Sequence, residues 1–101
     1  MKKEDILPLG SIVKIKGFGE KLLIGGLNYK VDGERYEYLG FMHPYGYVSP
    51  KKIIFFNSNV IEEVIFTGYR DEETDEFYED LEWLYKKVDK EGKWWLINFY
   101  L

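Results

Sequence analysis

The chain has 101 residues and a mass of 12.1 kDa, room for one domain and little more. Hydrophobic residues make up 46% and charged residues 32%, which excludes a disordered chain, and the absence of cysteine excludes disulfides, zinc ribbons and a cysteine nucleophile. The net charge of −4 is uneven: residues 1–60 carry +3 and residues 61–101 carry −7, so no basic stripe is offered to a nucleic acid.

Met1–Gly10 contains two lysines, Pro8 and Gly10 but no apolar stretch of the signal-peptide kind, and no apolar run approaches the ~18 residues of a membrane helix. The expectation is a cytoplasmic protein with no membrane contact. Ser11–Lys16 alternates, with Val13 and Ile15 facing inward and Lys14 and Lys16 facing water. Gly17-Phe18-Gly19 turns the chain into the apolar run Lys21–Leu27, where Gly25-Gly26 predicts a bulge or sharp bend. Asp32-Gly33 is a favoured hairpin turn between Asn28–Val31 and Arg35–Met42, and it places Tyr36 and Tyr38 on one face, Leu39 and Phe41 on the other. His43–Pro50 reads as a loop and Ile53–Phe56 as a strand. Asn59 and Glu62 have the spacing of a capping box for one helical turn, which leads into a strand over Val64–Tyr69. About five strands hide their edges most simply in a closed or nearly closed sheet.

From Asp71 the period changes to that of a helix. Phe77, Leu81, Leu84, Tyr85 and Val88 form one stripe, acids crowd the first turns, and Lys86, Lys87 and Lys90 sit in the last, in keeping with the helix dipole. Gly92 is the natural stop. Trp94–Leu101 holds one polar residue in eight and is expected to pair as a terminal strand, most simply within its own sheet, otherwise across a homodimer or with a heterologous partner. The predicted fold is therefore α+β, a single domain. A small antiparallel sheet or SH3-like barrel of about five strands spans residues 8–70, an acidic amphipathic helix 71–91, and a terminal strand 93–101.

Few residues carry chemistry. Gly17, Gly19, Gly25 and Gly26 lack phosphate-loop spacing and read as turn glycines. His43 has no orienting carboxylate or nucleophile in a recognisable arrangement. The eight carboxylates of Asp71–Glu82 lack the alternate spacing and central glycine of a calcium loop. They read as a solvated helix face, or as an acidic surface that steers a basic partner. Trp83 projects from the polar side of the helix beside Glu79, Lys86 and Lys87, either stacked under lysine stems or open to a partner. Tyr45 and Tyr47 bracket Gly46 on the loop and form a second contact patch unless they pack inward.

Several segments in order carry a family resemblance: Leu7-Pro-Leu-Gly-Ser-Ile-Val13, Lys21-Leu-Leu-Ile24, Tyr36-Glu-Tyr-Leu-Gly40, His43-Pro-Tyr-Gly-Tyr47, Phe55-Phe-Asn57 and Ile61-Glu-Glu-Val-Ile-Phe-Thr-Gly-Tyr69. Together they resemble the family called domain of unknown function 4176, over roughly residues 6–82. Its members occur in Gram-positive bacteria, commonly encoded beside type VII secretion components and LXG-type toxins. The resemblance implies an accessory role there, as a chaperone or targeting partner of a secreted toxin, and supplies no catalytic residues. The expected protein is thus not an enzyme and needs no cofactor or metal. It binds another protein, a secreted toxin or a secretion component, through Trp83, Tyr45, Tyr47 and Glu79. An immunity protein that blocks a toxin domain is the alternative reading, and an uncharacterised enzyme the third.

Overall fold

The structure is a computed structural model that describes the backbone of residues 2–91 and the side chains through Lys87. The described residues have the expected α+β composition, five antiparallel strands followed by one helix. The predicted terminal strand over 93–101, and the homodimer through it, lie outside the described residues. Two compact units separate in the fold, Pro8–Tyr69 in one, and the segment through Leu7 with Arg70 and the helix in the other.

In the first unit, strand β1 (Ile12–Ile15) places Val13 and Ile15 in the core and Lys14 in solvent, as alternation requires. Strands β2 (Leu22–Val31) and β3 (Glu34–Met42) form the long hairpin. Its two-residue turn has positive φ at both Asp32 (49°) and Gly33 (84°), the combination whose twist matches that of the strands. The register slips between Ile24 and Gly26, where the glycine pair predicted a bulge. β4 (Ile53–Phe56) pairs with β3 and β5 (Ile61–Phe66) pairs with β1, giving the order β4-β3-β2-β1-β5. Val13, Ile15, Leu22, Ile24, Tyr38 and Phe56 are the buried apolar side chains of the strands. The register places Val13 opposite Leu22 and Tyr38 opposite Phe56, so one side of the sheet carries the core.

The sheet is open rather than closed, because its two edges are managed locally. β4 has only four residues. Beyond it the chain folds back by side-chain bonds: the Glu37 backbone N–H donates to Asn57 Oδ1 at 2.8 Å, and the Ser58 N–H donates to Glu37 Oε1 at 2.7 Å. At the opposite edge, β5 spends two residues on bulges. Phe66 and Val64 pair with Ile12 and Val13, and Glu63 and Ile61 pair with Lys14 and Ile15, leaving Ile65 and Glu62 as the extra residues. Bulges and carboxylates are recognised ways to blunt an edge.

Two boundaries differ from expectation for related reasons. Ser58–Val60 forms a single 3-10 turn with no side-chain cap, so Glu62 stands in β5 and the Asn59–Glu62 capping box does not form. β5 begins at Ile61 and ends at Phe66, not at Tyr69, because Gly68 leaves the ladder: its N–H donates to the fully buried Ser11 Oγ at 2.9 Å. A Cβ at Gly68 would run into the Leu9 carbonyl and lie 2.9 Å from Ser11 N. Only glycine fits that approach.

Candidate functional site

In the second unit, helix α1 (Glu72–Glu91) starts on a reciprocal cap that spacing alone would have found. Asp71 Oδ1 accepts from the Thr74 backbone N–H at 3.0 Å, while the Asp71 N–H donates to Thr74 Oγ1 at 3.3 Å. Arg70 ties this start to the N-terminal segment. Its Nε donates to Asp75 Oδ1 at 2.7 Å, its two terminal nitrogens donate to the carbonyls of Ile6 (3.2 Å) and Lys3 (2.9 Å), and its guanidinium lies 5.0 Å from the Tyr78 ring centroid. Those contacts explain a correction to the predicted stripe. Tyr78 is buried beside Leu81, Leu84 and Tyr85, whereas Phe77 is 40% exposed. The first turns of α1 meet a segment seventy residues away in sequence, which helical periodicity does not register. The side chain of Val88, the last member of that stripe, is outside the described residues.

Glu79 and Trp83 stand one turn apart on α1 and meet different fates. The Glu79 carboxylate accepts a 2.6 Å hydrogen bond from Lys3 Nζ, and that bond, reinforced by the Glu79 charge, holds the Lys3 ammonium above its ordinary pKa. Trp83 is 56% exposed, with Lys87 Nζ 5.1 Å from its ring centroid, so both predicted features of this residue, the lysine partner and the open face, occur together.

Tyr45 and Tyr47 lie in the first unit. The Met42 carbonyl accepts from both the Tyr45 and Gly46 N–H groups (2.9 and 3.0 Å), and the tight turn presents Tyr45 outward at 70% exposure. Tyr47 is also exposed and sets its ring edge-on to Phe41, centroids 5.8 Å apart. The four predicted residues therefore form two pairs, one in each unit. Val64, Ile65, Phe66 and Tyr69 are exposed along and just beyond β5, at an edge of the sheet, and none of them was among the candidate residues. Phe77 was missed because it fell on the helical stripe.

Among the described residues no cluster of three or more His, Cys, Asp or Glu side chains is placed to hold a metal ion, and no helix is long and apolar enough to cross a membrane. No curated protein and no solved structure matches the chain. Comparison with protein families matches residues 6–77, which include the loop with Tyr45 and Tyr47 and stop before Glu79 and Trp83. With more than two thirds of its length matched, the chain belongs to the family described as domain of unknown function (DUF4176).

Proposed function

We propose that the protein is a non-enzymatic accessory binding protein, a cytoplasmic chaperone or targeting partner for a toxin exported by type VII secretion. The observation that carries the reading is Trp83, an aromatic more than half exposed on a charged helix face, the residue type that most often anchors protein interfaces. Tyr45 and Tyr47 add a second exposed aromatic pair. The family resemblance supplies the secretion context. Covering apolar surface on a toxin before export requires aromatic contacts and no catalytic group.

The test is a tagged pull-down from the native cell with mass spectrometry of stoichiometric partners. Recovery of an LXG-type toxin, and loss of toxin accumulation when the gene is deleted, is the expected result. Recovery of the protein alone, with toxin levels unchanged on deletion, contradicts it. The immunity reading draws on the acidic C-terminal half, which suits a basic toxin active site. It separates cleanly: an immunity protein binds the toxic domain and protects a cell that expresses it, whereas a chaperone binds a transport or folding region.

A further inference from the structure

Six carboxylates of α1 fall into two groups that the sequence does not distinguish. At about 100° per residue the helix surface divides into three sectors. Tyr78, Leu81, Leu84 and Tyr85 make the buried one. Beside it lies a flank on which three acids are engaged, Asp75 with Arg70 at 2.7 Å, Glu79 with Lys3 at 2.6 Å and Glu82 with Lys86 at 3.6 Å, while Glu72 in the first turn is exposed. The remaining flank carries Glu73, Glu76 and Asp80, all exposed, with Lys87 in the same sector, and none of the three acids has an ion pair or side-chain hydrogen bond with another described residue. Phe77 borders these acids on one side and Trp83 on the other, both exposed.

We propose that this open flank docks a basic amphipathic helix of the partner protein. The inference rests on the binding reading above and adds the chemistry of what is bound. Two aromatic anchors call for apolar counterparts, and the three uncompensated carboxylates between them call for cations. Phe77 and Trp83 are six residues apart, about 9 Å along the helix axis. A partner helix with apolar residues at i and i+7 spaces them by about 10 Å and brings lysines or arginines alongside the acids. Lys87, held over the Trp83 ring, occupies the place that a partner cation takes on binding.

The test uses a fluorescently labelled 18-residue Leu/Lys peptide with leucines at helical i, i+3, i+4 and i+7 spacing. A second peptide has glutamate in place of every lysine. Anisotropy is read against the full-length protein at low and moderate salt. The lysine peptide is expected to bind, more weakly as salt rises, and the glutamate peptide is not. The triple variant Glu73→Gln/Glu76→Gln/Asp80→Asn should raise Kd at least tenfold. Glu20→Gln/Glu62→Gln/Glu63→Gln removes the same number of charges elsewhere and should change Kd less than twofold. Trp83→Ala should also raise Kd at least tenfold with unchanged circular dichroism, and Lys87→Met should lower it about threefold. Equal losses in the two triple variants, or no binding of the lysine peptide, overturn the proposal. It also fails if the helix triple variant captures the toxin from cells as well as wild type does, a result that leaves the chaperone reading standing. A wild-type protein that captures no toxin defeats that reading instead, while the peptide series still decides the face.

Discussion

The two polar flanks of α1 are both acidic and put their carboxylates to different use. On one flank Asp75, Glu79 and Glu82 each meet a cation, two of them from outside the helix. On the other, Glu73, Glu76 and Asp80 stand in solvent between Phe77 and Trp83. The first flank fastens the N-terminal segment to the helix. The second spends its charges on nothing within the described chain, although like charges three and four residues apart repel. Charge density alone would have given both the same description. Which carboxylates already have partners is what separates a structural surface from a docking surface.

The comparison breaks first if the paired flank is not structural. Arg70→Ala removes an ion pair, two bonds to carbonyls and the contact with Tyr78, and should cost about 2–3 kcal/mol in urea denaturation. A cost below ~0.5 kcal/mol, the usual range of surface substitutions, would show that the flank fastens nothing. Asp71→Ala deletes the helix cap and should cost about 1 kcal/mol by the same measurement. The open flank should respond with the opposite sign. Glu76→Gln/Asp80→Asn relieves an i,i+4 repulsion and should be neutral or stabilising by up to about 0.5 kcal/mol. A clear loss of stability there would mean that these acids have a partner within the protein.

Lys3 sharpens the same contrast through pH. Its bond to Glu79 raises its pKa on folding, so the stabilisation is complete below the ordinary value of 10.5 and is lost as pH rises through the higher folded value. An NMR titration of the Lys3 side chain should give a midpoint above 10.5, and Glu79→Gln should bring it down. An unchanged midpoint in that variant would remove the pair from the account.

Much of the fold was legible because it is written in short-range chemistry. Val13 and Ile15 alternate, Asp32-Gly33 turns, Gly25-Gly26 slips the register, and the acids after Asp71 open a helix. What escaped depends on contacts distant in sequence. Gly68 ends β5 because it must approach Leu9 and Ser11, and Tyr78 displaces Phe77 from the core because Arg70 and the N-terminal segment pack there. The candidate site divides in the same way. Trp83 announced itself as an aromatic off the helical stripe, and Tyr45 and Tyr47 as aromatics about a loop glycine. Glu79 was read from its place one turn before Trp83, and its pairing was not legible because its partner Lys3 lies 76 positions away.

The most direct measurement is an NMR titration of the isotopically labelled protein with the lysine peptide, following backbone amide shifts along α1. The account predicts that residues 73, 76, 77, 80 and 83 move together and saturably, while 75, 79 and 82 stay within a small fraction of that change. Shifts spread equally over both flanks, or confined to the loop of Tyr45 and Tyr47, would contradict it.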